Sequence, residues 1–260
     1  MIEEQIQRGE RYDSTRAAWD KIWEMGSVER ELQAARSARS QQTQRVYEAY
    51  LPREDLILEA GSGLSSVLLL LREHGFHVVG MDYAIHALQL SRDYDSTLNL
   101  FLGDVHQLPH ADNSLGGYLS FGVLEHFEHG MMPALKEAHR VLKPGAVLVL
   151  TIPYPNIVHR VVARKRKRQK VSVLNDDTFY ESTYTRRQLE ENVTRAKLEV
   201  IRIVPTSHSF TLWGLGGPFR KPGYYETSPL AEALGSLMRW IFPWAFNFTT
   251  LVVARKPQKQ

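Results

Sequence analysis

The chain has no cysteine. Disulfide scaffolds, cysteine-zinc sites and thiol nucleophiles are therefore excluded, and the composition suits a cytoplasmic enzyme. It has no uninterrupted apolar run of about 18 residues, so a membrane-spanning helix is not expected. The most apolar long stretch, "LAEALGSLMRWIFPWAFNF", is broken by Glu232, Arg239 and Pro243. The first residues, "MIEEQIQRGERYDS", are acidic and polar and lack the pattern of a secretory signal. There is no internal repeat. The formal charge of +3 is small, and decides nothing about nucleic acid until the positions of the charges are read.

What is present is an ordinary globular composition, 43% hydrophobic and 23% charged over 260 residues, enough for one core and an elaboration. Residues 12–50 read as helical, in the segments "YDSTRAAWDKIWEM" and "SVERELQAARSARSQQTQRVYEAY", with Pro52 ending the second. From Asp55 to Leu150 the pattern alternates. "DLILEA", "HVVGMD", "LNLFLGD", "LGGYLSFG" and "AVLVLTIP" read as short strands. "LSSVLLLLREHG", "AIHALQLSRDY" and "MMPALKEAHRVLKPG" read as helices, the last closed by Lys143, Pro144 and Gly145. The alternation implies an α/β fold, a doubly wound, mostly parallel sheet with helices on both faces. Right-handed crossovers place the C-terminal strand ends on one edge. After an irregular insertion at 154–185 come a helix, "RRQLEENVTRAK", and a strand, "LEVIRIV". A second insertion at 205–245 precedes the seventh strand, "FTTLVVARK".

The first strand ends in Glu59 and runs into Gly61 and Gly63. Such a turn, opening onto a helix, is where ligands bind in open α/β sheets. A dinucleotide fingerprint would need glycine where Ser66 stands, and Glu59 would repel a pyrophosphate. A nicotinamide-dependent reductase is disfavoured on both counts. A cationic guest without phosphate removes the conflict.

Here the sequence resembles the class I, Rossmann-like S-adenosylmethionine-dependent methyltransferases. Their first motif is acidic-x-Gly-x-Gly-x-Gly, matched by Glu59-Ala60-Gly61-Ser62-Gly63-Leu64-Ser65 with serine in place of the third glycine. "VVGMD" ends in Asp82, "FLGDVHQLP" holds Asp104, "LSFGVLEHF" holds Gly122 and the pair Glu125-His126, and "EAHRVLKPGAVLVL" matches the segment closing the core. The matches cover residues 55–153. The resemblance implies that Asp82 accepts both ribose hydroxyls, that Asp104 holds the adenine amino group with Val105 against the ring, and that Ala60, Ser62, Tyr83, Gly103 and Phe121 complete the donor pocket. Trp19 and Trp23, together with Tyr12, precede the core and are candidates for an N-terminal helical lid over residues 1–52.

Methyl transfer from a sulfonium needs alignment and exclusion of water, and a hydroxyl acceptor needs a base. His126 is the leading candidate, since an imidazole titrates near neutrality; Glu125 and His129 are substitutes, and His208 and Tyr154 weaker ones. The expected activity is methylation of a small molecule, with oxygen preferred: a sugar, quinone-like or natural-product scaffold, lipid-linked in one version. No metal is expected, and the protein is read as a monomer or homodimer. The basic run at 160–170 suits anionic lipid or nucleic acid, but no stacking-aromatic module accompanies it, which argues against nucleic acid. The apolar side of 230–246 suits an interfacial helix, an acceptor lid or a dimer contact. The rival readings are an RNA or protein methyltransferase using the basic run, and a non-catalytic S-adenosylmethionine-binding protein.

Overall fold

The computed structural model describes residues 18–161, 181–223 and 225–258. Seven strands form one sheet: β1 (Ile57–Ala60), β2 (Val78–Asp82), β3 (Leu100–Leu102), β4 (Leu115–Phe121), β5 (Leu142–Pro153), β6 (Glu199–Thr206) and β7 (Thr249–Arg255). Their order is β3-β2-β1-β4-β5-β7-β6. β1 pairs in parallel with both β2 and β4, and β4 pairs in parallel with β5. β7 runs antiparallel between β5 and β6, so it alone reverses direction. The strand order turns around at β1, where the crossovers leave to either side. A crevice at the C-terminal strand ends is expected there.

The helices are α1 (18–24), α2 (Val28–Ala35), α3 (Ala38–Glu48), α4 (Ser66–Glu73), α5 (Ile85–Tyr94), α6 (Met132–Val141), α7 (157–161), α8 (Arg186–Arg195), α9 (His208–Trp213) and α10 (Pro229–Ile241). Strand alternation splits the core into two layers. On one face Leu58, Met81, Tyr118 and Leu148 pack with Leu135 of α6 and Leu189 of α8. On the other Ile57, Val78, Leu119 and Val149 pack with Leu32 of α2, Tyr47 of α3, Leu68 of α4 and Leu88 of α5. The N-terminal helices are thus part of the second layer.

Two boundaries differ from the sequence reading. The long second helical segment is broken at Arg36–Ser37: Ser37 has extended backbone (φ −62, ψ 152) and its hydroxyl accepts from the Ser40 N–H. The serine caps α3 instead of continuing α2. The helix expected to close at Lys143–Gly145 ends at Val141, and β5 starts at Leu142. Leu142 pairs with Leu115 before a bulge restores register at Gly117 and Val147. Pro144 has no N–H to continue a helix but is tolerated beside a bulge.

The junction is fastened by Lys256, just past β7. Its Nζ donates to the Leu142 carbonyl at 2.9 Å, the His139 carbonyl at 2.7 Å and the Asn113 side-chain oxygen at 2.8 Å, and the residue is buried. Charge-assisted bonds of this kind are the stronger ones. Lys256→Met keeps the aliphatic stem and leaves three acceptors without their donor. The expected cost is about 3 kcal/mol, read as a lower urea midpoint, with Lys256→Arg recovering part of the loss.

Candidate active site

The β1–α4 turn is built from residues that tolerate unusual backbone. Gly61 has φ +83, and a Cβ there would lie 2.3 Å from the Val123 side chain. Gly63 has φ +48, and its Cβ would lie 2.8 Å from the Trp23 ring. Both glycines let neighbouring chain close onto the turn. Ser65, where the related motif carries its third glycine, also adopts the left-handed region (φ 59, ψ 24) as the N-cap of α4. It is fully buried. A serine there costs roughly 1–2 kcal/mol of local strain that glycine would not.

Asp82 ends β2 and ties two turns together. Its Oδ2 accepts the Gly63 N–H at 2.7 Å and its Oδ1 the Ala84 N–H at 2.9 Å. Burial raises its pKa, while the N–H groups of Ala84, Gly63 and Tyr83 pull it back. Glu59 lies on the Ile57 face of β1, beneath the start of α4. It is buried, and its Oε2 has no hydrogen-bond partner among the described residues. Burial, with a smaller push from Asp82, moves its pKa up to about 8 against the pull of the Leu68 N–H.

Around these groups lies a cavity of about 250 Å³ at the C-terminal strand ends. Of the residues named from sequence, Glu59, Gly61, Ser62, Gly63, Asp82, Tyr83, Gly103, Val105, Phe121, Gly122, His126, Trp19 and Trp23 line it. Trp19 and Trp23 stack with ring centroids 5.6 Å apart, and Trp19 meets His126 edge-on at 5.0 Å. Ala60, Asp104, Glu125 and His129 are not among its walls. Ala60 is packed in the core. Asp104 turns toward His106: its Oδ1 accepts the His106 N–H at 2.8 Å and lies 2.8 Å from His106 Nδ1. His129 is exposed. Glu125 is buried behind the wall, its pKa moved up to about 8 by burial and then by Glu181. His208 lies elsewhere, buried with Nε2 2.8 Å from the Pro243 carbonyl oxygen. Tyr154 belongs to a separate groove. Tyr12 and the basic residues 164–170 fall outside the described residues.

The sequence reading missed Glu31, Val123 and Phe127 as wall residues. Glu31 comes from α2 and reaches the cavity only through packing. Val123 and Phe127 flank the 3₁₀ turn at Leu124–His126, and their proximity to the already named Gly122 and His126 was the available signal. The walls hold three carboxyl groups, from Glu31, Glu59 and Asp82, and no lysine or arginine among the described residues. Such a site suits a guest with cationic and hydroxyl groups and opposes a polyphosphate.

The fold is the Rossmann-like architecture of the class I S-adenosylmethionine-dependent methyltransferases. Within it, residues 58–150 match the methyltransferase domain family. A methyltransferase-named protein of Encephalitozoon cuniculi is 34% identical over 125 residues, 47% of this chain and 57% of that protein. A malonyl-[acyl-carrier protein] O-methyltransferase of Salmonella typhimurium is 28% identical over 95 residues, 36% of this chain and 38% of that enzyme. The chain thus spans less than two thirds of these curated relatives. Among solved structures, a methyltransferase in complex with a methyltransferase activator from Haloferax volcanii shares the fold, with a TM-score of 0.63, 17% identity and coverage of 92% and 98% of the two chains. S-adenosylmethionine fits the cavity on one observation above the others: the buried, unpartnered Oε2 of Glu59 is an acceptor awaiting a donor, and an ammonium supplies one.

The raised carboxyl groups set a pH dependence. Folded, Glu59 and Glu125 keep protons up to about pH 8, whereas the unfolded chain releases them near about 4.3. Their burial is tolerated best at low pH, and stability falls as pH rises from about 5 through 8. Urea midpoints of the ligand-free protein should drop across that window, and Glu59→Gln should flatten part of the drop.

Proposed function

We propose that this protein transfers a methyl group from S-adenosylmethionine to an oxygen atom of a small molecule. The observation that carries the reading is the cavity wall of three carboxyl groups without a lysine or arginine among the described residues. S-adenosylmethionine bound there supplies an electrophilic methyl on a positively charged sulfur. Glu59 receives the ammonium group, since its free Oε2 lies buried at the turn. Asp82 accepts the ribose hydroxyls. Each of its oxygens already takes one backbone N–H and retains a second lone pair for a hydroxyl. Gly103 and Val105 provide the adenine surface; Asp104, turned toward His106, acts through the backbone of this segment. Trp19 and Trp23 form the lid. They exclude water and set aromatic faces near the sulfonium, worth roughly 0.5–2 kcal/mol per face.

His126 is our candidate base. It is the histidine in the cavity wall among the described residues, and Trp19 packs against its ring. Glu125 and His129, set off the wall, are not assigned a contact with the acceptor. The oxygen acceptor is supported by the malonyl-[acyl-carrier protein] O-methyltransferase relative, matched over part of its length. A sugar, quinone-like or natural-product hydroxyl and a carboxyl group all remain within this class.

Calorimetry tests the donor assignment. Below pH 8 the ligand-free Glu59 carboxyl is mostly protonated, so capture of an ammonium should release a proton. Titrations at pH 6.5 in buffers of different ionisation enthalpy should show that release for wild type and not for Glu59→Gln. Glu59→Gln and Asp82→Asn should each lose about tenfold or more in affinity. Unchanged affinity in both would overturn the assignment. For the base, turnover on a panel of hydroxyl and carboxyl acceptors should fall at least about a hundredfold in His126→Asn, with donor affinity kept. A wild type that binds the donor and turns over none of the panel would favour the binding-protein reading.

A further inference from the structure

The second layer of the sheet carries a cap made of α9, the 3₁₀ turn at Gly217–Phe219 and α10. α10 packs inward through Ala231 and Gly235; at Gly235 the backbone of Ser209 is so close that a Cβ would lie 2.6 Å from its nitrogen. The opposite face of α10 is also apolar. Leu230, Leu237 and Ile241 lie on it, each about half exposed, and Trp240 is 83% exposed. Spacings of three, four and seven residues put them on one stripe. A soluble helix ordinarily turns charge outward at such positions, and a patch of this kind marks a contact surface.

The stripe does not end with the helix. Phe242, 55% exposed, leads into a groove whose other wall is α7, with Ile157 and Arg160. The Ile157 N–H donates to the Ala245 carbonyl at 3.0 Å, so the two segments are joined. Ile157 and Val161, one turn apart on α7, are both about half exposed. The apolar surface therefore continues from one insertion to the other.

Charge close to this surface is mainly positive, with Glu232 in the first turn of α10 and Glu190 one turn from Arg186 on α8 as the nearby acids. Residues 154–161 and 233–258 contain no aspartate or glutamate. Arg160 lines the groove, and the Arg186 guanidinium sits 5.2 Å from the Trp244 ring centre. Exposed aliphatic groups, a protruding indole and arginines at their margin form the pattern of a surface that meets anionic headgroups while its apolar side enters the acyl boundary. None of the described helices is long and apolar enough to cross a membrane, so the contact lies along the bilayer surface.

We propose that the α10–α7 face docks reversibly on the surface of an anionic phospholipid bilayer, with Leu237, Trp240, Ile241 and Phe242 inserted and Arg160 and Arg186 at the headgroups. This does not depend on the methyl-transfer reading, and its test needs no turnover.

The test is co-sedimentation of the full chain with phosphatidylcholine vesicles containing 0 or 30% phosphatidylserine. Binding is expected with phosphatidylserine, weakening as salt is raised, since each cation near the surface contributes about fivefold. Trp240→Ser combined with Leu237→Ser should reduce partitioning by at least about tenfold, with the melting temperature and S-adenosylmethionine affinity kept. Tryptophan emission should shift to the blue on binding, and the shift should shrink in Trp240→Phe. Three results would overturn the proposal: no sedimentation with either vesicle, sedimentation undiminished in the double variant, or a lipid-free dimer that the double variant dissociates. The last would assign the face to a second copy of the chain.

Discussion

The Asp82 carboxylate, bonded to the Gly63 and Ala84 N–H groups, is the joint on which the cavity is assembled. It fixes the glycine turn after β1 against the end of β2. Together with the Gly61 and Ser62 N–H bonds to the Met81 carbonyl, at 2.7 and 2.9 Å, it holds a turn with left-handed backbone at Gly61, Gly63 and Ser65. Because the turn is held, Val123 can cross Gly61 and Trp23 can lie on Gly63. Segments from before β1 and after β4 thus meet over one loop. The same carboxyl must stay buried while making those bonds, so the site is lined with acceptor oxygens before any ligand arrives.

This arrangement places unfavourable electrostatics where ligand chemistry can relieve them. Glu59 and Asp82 are buried in one small space, and Asp82 adds to the cost of ionising Glu59. A cationic guest reverses that penalty, and gives more to the site than a neutral molecule of equal contact area would. Two buried serine hydroxyls nearby, Ser62 and Ser65, likewise lack partners among the described residues. A site with several unsatisfied polar atoms is costly for folding, and such costs concentrate where function requires them.

The parts legible from sequence were those fixed by local chain chemistry. The acidic residue and glycines of the first turn, the aspartate ending β2, and the strand–helix alternation are contiguous patterns with direct backbone consequences. The parts that were not legible depend on tertiary encounters. Glu31 reaches the cavity because α2 packs on the second layer; no spacing in "SVERELQAA" announces it. Asp104 is drawn aside by His106, two residues away, a competition between side chains that the motif does not encode. Lys256 looks like a surface cation beside Pro257, yet three acceptors from two other segments surround its ammonium. The break at Ser37 was readable in principle, since Ser37 and Ser40 have the spacing of a cap, but serine inside a polar stretch is a weak signal.

The antiparallel strand β7 has a consequence for synthesis. It occupies the slot between β5 and β6, bonded to both along its length. During translation β5 and β6 emerge well before residues 249–255, so their facing edges wait with open backbone groups for a strand made later. A nascent chain in that condition offers two sticky margins to its neighbours on a polysome. Crowded expression should therefore punish truncation or slow decoding near the last strand more than equal disturbance in the N-terminal helices.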